Sequence, residues 1–430
     1  MNARAVDPAS HGRTRRALGL LLGRLFGVAG ALAAGQLIVG LIYLVGARAI
    51  TPATLGLIAT CVAVATIGST VFDAGLTALL IREVAAGALE RQRAAAIVGA
   101  KRRWTPVLAL ATFPACLAIA PTVATGLLLG CLGVVMWEAQ TGNGLLRARE
   151  RFTLAATAQV SGRAVGLAVV ALMVAVEHPD LALPLALVAA FLLEAVLARV
   201  FLGARSARPT SQREAAPYYR AAISYGLASL AASAQQLDTP LVALGAGAAG
   251  AGLYAAAGRL LGPLGFLATS LGLVAAPWLA RARRDELSLR HEERRVFRIA
   301  WLLAAAPLGA ALVGPPLLPV LLGPEYAASG VVLSVLALGS VVSTLNQPMS
   351  IILQNRGRQG ITAIAISIGL GIGLVATLVL ATVGGAVGAA IGFGLSQVYI
   401  LIHLALAVRS VRLGKATSPP RREVDHPDEA

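Results

Sequence analysis

Apolar runs of 20 or more residues recur along this chain from Leu25 to Val408. At 1.5 Å of rise per residue, each is long enough to cross a hydrocarbon core of roughly 30 Å. In lipid every backbone N–H and C=O must be satisfied internally, so runs of this kind fold as helices and open strands are excluded. Composition agrees, because 57% hydrophobic and 13% charged residues leave too little polar surface for a chain dissolved in water. The chain therefore reads as an all-α polytopic membrane protein of about 12 transmembrane helices.

The spans are expected near 25–47, 55–81, 106–120, 123–146, 152–176, 181–202, 221–247, 252–280, 296–322, 327–353, 361–381 and 386–408. Arg13, Arg15, Arg16 and Arg24 before the first run imitate a signal peptide, but 25–47 is long enough to span and is read as an uncleaved helix. The net charge of +16 suggests a nucleic-acid surface until the basic residues are placed. Of the 36 Lys and Arg, 33 fall in the two tails and in alternate loops, which the positive-inside bias puts in the cytoplasm. Both termini are then cytoplasmic. Arg48 stands alone on the other side, leaving Arg163 and Arg259 within the membrane.

The most polar linker lies at the midpoint, which divides the chain into a tail (1–24), an N-lobe of six helices (25–203), a linker (204–220), a C-lobe of six helices (221–408) and a tail (409–430). Parallel repeats of even helix number place a substrate path between the halves. Gly384, Gly388 and Gly392 recur every four residues and read as a seam for close packing within the chain rather than as a dimer interface. Cys61, Cys116 and Cys131 lack metal-ligand spacing and read as packing residues.

Ionisable residues inside spans are costly and mark sites. Asp73 ends a polar face of the second span built from Thr66, Ser69 and Thr70, and Thr77 extends it. Gln159 and Arg163 share a face of the fifth span, and Arg163 is expected to line a cavity because the same hairpin offers no obvious acid at its depth. Glu138 and Glu194 sit on the inner halves of the fourth and sixth spans. Asp238 and Arg259 lie about ten residues either side of a turn near Ala248, a similar depth, and are expected to pair. Gln235, Gln236, Asp238 and Pro240 combine polarity with a helix breaker and suggest a hinge. Ser343, Asn346, Gln347 and Ser350 line one face of the tenth span.

Several patches resemble the polysaccharide transporter or O-antigen flippase family of the multidrug/oligosaccharidyl-lipid/polysaccharide exporter superfamily. They are Ala47-Arg48-Ala49-Ile50-Thr51-Pro52 with Leu55-Gly56-Leu57-Ile58-Ala59, Asp73-Ala74-Gly75-Leu76 with Arg82-Glu83, Gly252-Leu253-Tyr254 with Arg259-Leu260, Leu322-Gly323-Pro324-Glu325-Tyr326, and Gly357-Arg358-Gln359. Thr51, Leu55 and Ile58 depart from the family's usual Gly, Phe and Tyr.

The resemblance implies a fold like that of the superfamily's multidrug exporters, two six-helix lobes around a cavity open to each side in turn. It also implies outward flipping of an undecaprenyl-diphosphate-linked oligosaccharide in a bacterial inner membrane. On that view Arg163 and Arg259 would meet the diphosphate and Arg82 would attract it at the mouth. Asp73, Glu138, Glu194 and Asp238 would serve a coupled H⁺ or Na⁺ or hold the arginines, while Gln159, Gln235, Gln236, Asn346 and Gln347 would line the cavity. The expected partners are the lipid-linked substrate, membrane lipids and glycan polymerases or glycosyltransferases, with no nucleic acid and no cofactor.

The alternative is an ion-coupled exporter of drugs or metabolites, of the multidrug branch or of major-facilitator type. The stretch from Arg82 to Arg103 lacks the Gly-x-x-x-Asp-Arg-x-Gly-Arg pattern of the latter. A membrane glycosyltransferase is disfavoured because no long outer loop carries clustered acids, and no P-loop is present for ATP hydrolysis.

Overall fold

A computed structural model describes residues 34–203, 210–282 and 285–412, and these are helical almost throughout. The expected N-terminal tail, the first nine residues of the first span and the tail beyond Arg412 lie outside the described residues. The helices are α1 (Ala34–Ala47), α2 (Pro52–Asp73), α3 (Leu76–Ala85), α4 (Arg91–Lys101), α5 (Thr105–Ile119), α6 (Val123–Ala148), α7 (Phe152–Ala175), α8 (Pro179–Leu202), α9 (Gln212–Ser233), α10 (Asp238–Ala282), α11 (Glu286–Leu322), α12 (Ser329–Asn355) and α13 (Gln359–Arg412).

Local chemistry sets the boundaries. Thr51 and Thr122 cap α2 and α6 by accepting from the amides of Thr54 and Thr125 at 3.3 and 3.2 Å. Ser211 and Glu214 form a capping box, so α9 starts at Gln212 and most of the stretch expected to be linker is helix. Asp285 accepts from the amides of Leu287 and Ser288 and starts α11 ten residues before the expected 296. Gly247 and Gly385, both at positive φ, fold α10 and α13 into hairpins.

The expected second span is broken at Ala74-Gly75, both at positive φ, into α2 and α3. The expected third span was too short because α4, a 3-10 turn over Arg102–Trp104 and α5 make one path. Counted this way, the described helices make twelve crossings.

Helices α2, α3 and α5–α8 pack on one another as the N-lobe, and α10–α13 as the C-lobe. Small residues bring the hairpins close. A Cβ at Gly162 or Gly166 of α7 would meet the Ala190 or Ala186 carbonyl of α8, and one at Gly388 or Gly392 would meet the backbone of the first half of α13. The glycines of the last span thus pack within the chain, as expected.

The lobes meet along a seam formed by α2, α3 and α4 against α9 and α10. At the end opposite the arginine-rich loops, Gly56 of α2 and Gly252 of α10 lie so close that a Cβ on either would overlap the other helix's backbone. Tyr326 closes this end by donating to the Ile50 carbonyl at 3.0 Å. At the arginine-rich end, Gly75 and Gly226 make a similar backbone contact, and Gln212 donates to the Ala100 carbonyl at 3.0 Å. The lobes thus touch at both ends of this seam.

Replacing Gly252 by Val should wedge this seam at a cost on the order of 1–3 kcal/mol. Hydrogen exchange should then rise over residues 50–56 while α7 and α8 stay protected; unchanged exchange over 50–56 would argue against the closed seam.

Candidate functional site

The break between α2 and α3 turns Asp73 inward, where it meets Lys101 from the end of α4. Lys101 Nζ lies 2.5 Å from Asp73 Oδ1, and its side chain is only 3% exposed. Thr77 donates to the same carboxylate at 2.5 Å, Lys101 also donates to Thr141 of α6, and its ammonium sits 4.5 Å from the centre of the Trp137 ring. A lone ammonium here would cost several kcal/mol, so the carboxylate, two hydroxyls and the indole face replace its water. Counting Lys101 with the loop was therefore wrong. It is a third buried cation beside the expected Arg163 and Arg259, drawn in by Asp73.

Its neighbour Arg102 makes a two-pronged pair with Glu138 of α6, Nε to Oε1 at 2.9 Å and Nη2 to Oε2 at 2.7 Å. Arg163 also has a carboxylate, though its Nη1 is buried without a hydrogen bond among the described residues. Its Nη2 lies 3.2 Å from Glu194 Oε2 of α8, both side chains are under a tenth exposed, and the guanidinium lies 3.8 Å from the Phe191 ring centre. Asn143 of α6 donates to the other carboxylate oxygen. The expectation that Arg163 lacks an acid within its hairpin is corrected here. Glu194 is about one turn displaced in depth, but the close approach of α7 and α8 at Gly162 and the length of an arginine bridge the offset. Gln159, one turn away, is half-buried and accepts from Arg147 at 3.5 Å.

The remaining groups lie at the seam and in the C-lobe. Arg82 of α3 is exposed, pairs with Glu83 at 3.7 Å and donates to the hydroxyl of Tyr225 on α9, across the arginine-rich end of the seam. Halfway along, Thr70 and Ser233 share a hydrogen bond at 3.0 Å. Arg259 of α10 is half-buried and reaches the N-lobe, with its guanidinium 4.5 Å from the centre of the Tyr43 ring on α1.

Asp238 and Arg259 form no ion pair, contrary to expectation: each has another partner. Tyr254 donates to Asp238 at 3.1 Å, and Thr239 supplies its amide at 2.6 Å and its hydroxyl at 3.2 Å. Arg259 is five residues after Tyr254, hence roughly 140° further round the helix, and points elsewhere.

Asp238 opens a cavity of about 100 Å³ between α10 and α13, walled also by Gln235, Tyr254, Thr377, Ser396 and Gln397. The helix break expected near Pro240 falls just before it, as a 3-10 stretch over Ala234–Leu237 that leaves Gln235 and Gln236 exposed. Asn346 donates to Gln397 at 3.2 Å from the far side of α12, and Gln347 beside it is half-buried.

A profile described as polysaccharide biosynthesis protein matches residues 45–331, about two thirds of the chain. The chain belongs to the polysaccharide biosynthesis protein family. No curated protein matches the sequence of this family member.

Among solved structures it resembles an inward-facing multidrug resistance transporter of the MATE family, at 15% identity over 89% of this chain and 96% of that one, with a TM-score of 0.71. It also resembles the lipid II flippase MurJ in an inward closed conformation, at 10% identity over 90% and 87%, with a TM-score of 0.72. A transporter from Pyrococcus furiosus gives 14% identity over 92% and 96%, with a TM-score of 0.59. The chain thus shares the fold of these transporters, as the sequence resemblance implied.

Several partners escaped the sequence reading. Asn143 and Thr141 sit with Glu138 and Gln140 in a polar run of the fourth span from which only Glu138 was singled out, and Tyr43, Tyr254 and Gln397 look like ordinary span residues. The i, i+4 pair Gly162 and Gly166 facing Ala186 and Ala190 was the one legible sign that α7 and α8 approach closely enough to join Arg163 to Glu194.

Removing one member of that pair strands the other charge. Arg163→Ala should cost about 3–5 kcal/mol, read as a lower melting temperature in detergent, whereas Arg163→Met with Glu194→Leu should recover most of the loss. If the single variant melts like the parent, the pair does not hold the lobe together.

Proposed function

We propose that this protein flips an undecaprenyl-diphosphate-linked oligosaccharide, such as an O-antigen or exopolysaccharide repeat unit, from the inner to the outer leaflet. The lobes would alternate about the seam between α2 and α10. The observation that carries this reading is the state of Arg259. The N-lobe's Lys101, Arg102 and Arg163 are each bound to a carboxylate, whereas Arg259 lies at the seam, half-buried, with an aromatic ring as its partner.

A guanidinium resting on a ring gives up a modest interaction when a diphosphate replaces it with charge-assisted hydrogen bonds. The sugars would meet Gln235, Gln236 and the polar wall of the Asp238 cavity. Asp238 is the carboxylate we assign to a coupled H⁺ or Na⁺. We assign Arg82 and Tyr225 to the entrance, and Asp73, Glu138 and Glu194 to holding the N-lobe's cations.

The family's link to polysaccharide synthesis and a fold shared with a lipid II flippase support this reading. We assign the arginine-rich end and both termini to the cytoplasmic side of a bacterial inner membrane, a reading that the positive-inside bias of the loops supports. No bond is made or broken in this scheme, so the protein acts as a carrier alongside glycosyltransferases and a polymerase.

Proteoliposomes holding a labelled polyprenyl-diphosphate oligosaccharide should show protein-dependent translocation, assayed with and without H⁺ or Na⁺ gradients. Arg259→Ala should slow it at least tenfold with an unchanged melting temperature, and Arg259→Lys should retain part of the rate. Wild-type rates in Arg259→Ala would remove the diphosphate assignment. No translocation by folded protein with several glycans would instead favour ion-coupled export of small molecules.

A further inference from the structure

At the arginine-rich end of the C-lobe, away from the seam, α10 and the first turns of α11 flank an open surface recess of about 460 Å³. Its walls are Trp278, Arg281, Ser288, His291, Glu292 and Arg295. Two arginines, an imidazole and a hydroxyl line one small volume, which is the donor set of a phosphate site. Arg281 and Arg295 are exposed, and Arg295 is held on the Trp278 ring at 4.6 Å. Glu292 supplies a contrasting acceptor. Its Oε2 is buried without a hydrogen bond among the described residues and lies 3.7 Å from Arg295 Nη1.

The walls are fixed from α12. Arg356 reaches Glu293 at 2.8 Å and Glu286 at 3.3 Å, and Asn355 donates to the Leu279 carbonyl at 3.2 Å. The depth of the recess is also defined. Trp301, six residues or about 9 Å beyond Arg295 along α11, is 61% exposed, and Leu302 is 75% exposed, as side chains that meet lipid rather than water. Trp278 and Trp301 thus bracket the headgroup level, where tryptophan collects.

We propose that this recess binds a lipid-borne phosphate ester that carries a hydroxyl beside the phosphate, with the phosphate on Arg281 and Arg295 and the hydroxyl on Glu292. A phosphatidylglycerol-type headgroup has this chemistry, and so does the diphosphate-sugar end of a lipid-linked glycan waiting at the membrane surface. A phosphocholine headgroup has the phosphate but no hydroxyl or N–H donor for Glu292, so the site discriminates against it. The inference does not rest on the flippase reading, because the recess is formed by the C-lobe alone.

Native mass spectrometry of the full-length protein with added phosphatidylglycerol, phosphatidylcholine or a polyprenyl-diphosphate sugar tests it. Phosphatidylglycerol should be retained at least tenfold better than phosphatidylcholine. Arg281→Gln with Arg295→Gln should lose about tenfold or more of that affinity, since each removes a charge-assisted bond. Glu292→Gln should narrow the preference over phosphatidylcholine. Competition by the diphosphate sugar would identify a waiting site for substrate, and retention of phosphatidylglycerol against it a resident phospholipid; either supports the site. Equal retention of both phospholipids, or a double arginine variant that binds phosphatidylglycerol like the parent, would overturn it, with intact melting showing that folding is not the cause.

Discussion

Charge neutralisation inside a lipid-embedded bundle decides how the N-lobe helices meet. Asp73 with Lys101, Glu138 with Arg102, and Glu194 with Arg163 each join residues from different helices, and α6 touches all three through Thr141, Glu138 and Asn143. Any sliding of α6 by one turn would strand several charges together, at several kcal/mol per ion. Hydrophobic burial cannot impose such a register, because lipid tails are as apolar as the side chains they would replace. The pairs therefore supply the specificity that water supplies to a soluble core, and the glycine and alanine faces of α7 and α8 let the chains come near enough to form them.

The seam between the lobes follows the opposite rule. Its contacts are backbone against glycine at Gly56, Gly252, Gly75 and Gly226, hydrogen bonds from Tyr326, Thr70 and Gln212, and two arginines that cross it onto tyrosines, Arg82 on Tyr225 and Arg259 on Tyr43. Close van der Waals approach of this kind has little cost to break in lipid, since lipid chains or water can refill the gap and no carboxylate loses its counter-ion. On the proposed alternation of the lobes, an interface that opens at one end while the other stays shut is better built from such contacts than from buried ion pairs. The left-handed break at Ala74-Gly75 serves both demands, for it aims Asp73 at Lys101 and presents Gly75 to α9.

Much of this was legible in the sequence because bilayer thickness and loop charge are one-dimensional constraints. The number of crossings, the two lobes, the turn beside Ala248 and the breaker region before Pro240 all follow from run length, arginine alternation and glycine or proline position. What escaped were pairings that depend on rotation about helix axes. Depth along a hairpin predicted an Asp238–Arg259 pair, but Tyr254 occupies the carboxylate and the helical phase points Arg259 at Tyr43. The same depth argument missed Glu194 as the partner of Arg163, since an arginine side chain spans a full turn. Lys101 was misassigned because a basic residue next to Arg102 and Arg103 looks like loop, and only Asp73 and Thr141 in three dimensions account for its burial.

Both lobes hold ion pairs, Arg356 with Glu293 in the C-lobe among them, but the charges beside the seam and the polar cavity of the C-lobe are in a different state, and that bears on where a ligand is sensed. In the N-lobe each buried cation already has its counter-ion, so an incoming anion would have to displace a carboxylate and leave it stranded in a dry interior. In the C-lobe Asp238 is held by hydroxyls and an amide beside a small polar cavity, and Arg259 rests on a ring that belongs to the other lobe. A negatively charged group entering the seam could take Arg259 from Tyr43 without stranding any acid. Doing so would also remove one of the contacts that ties α10 to α1, so binding and loosening of the lobes would be the same event. A substrate that carries its charge at a diphosphate would engage this contact directly, whereas a neutral ligand would leave it in place.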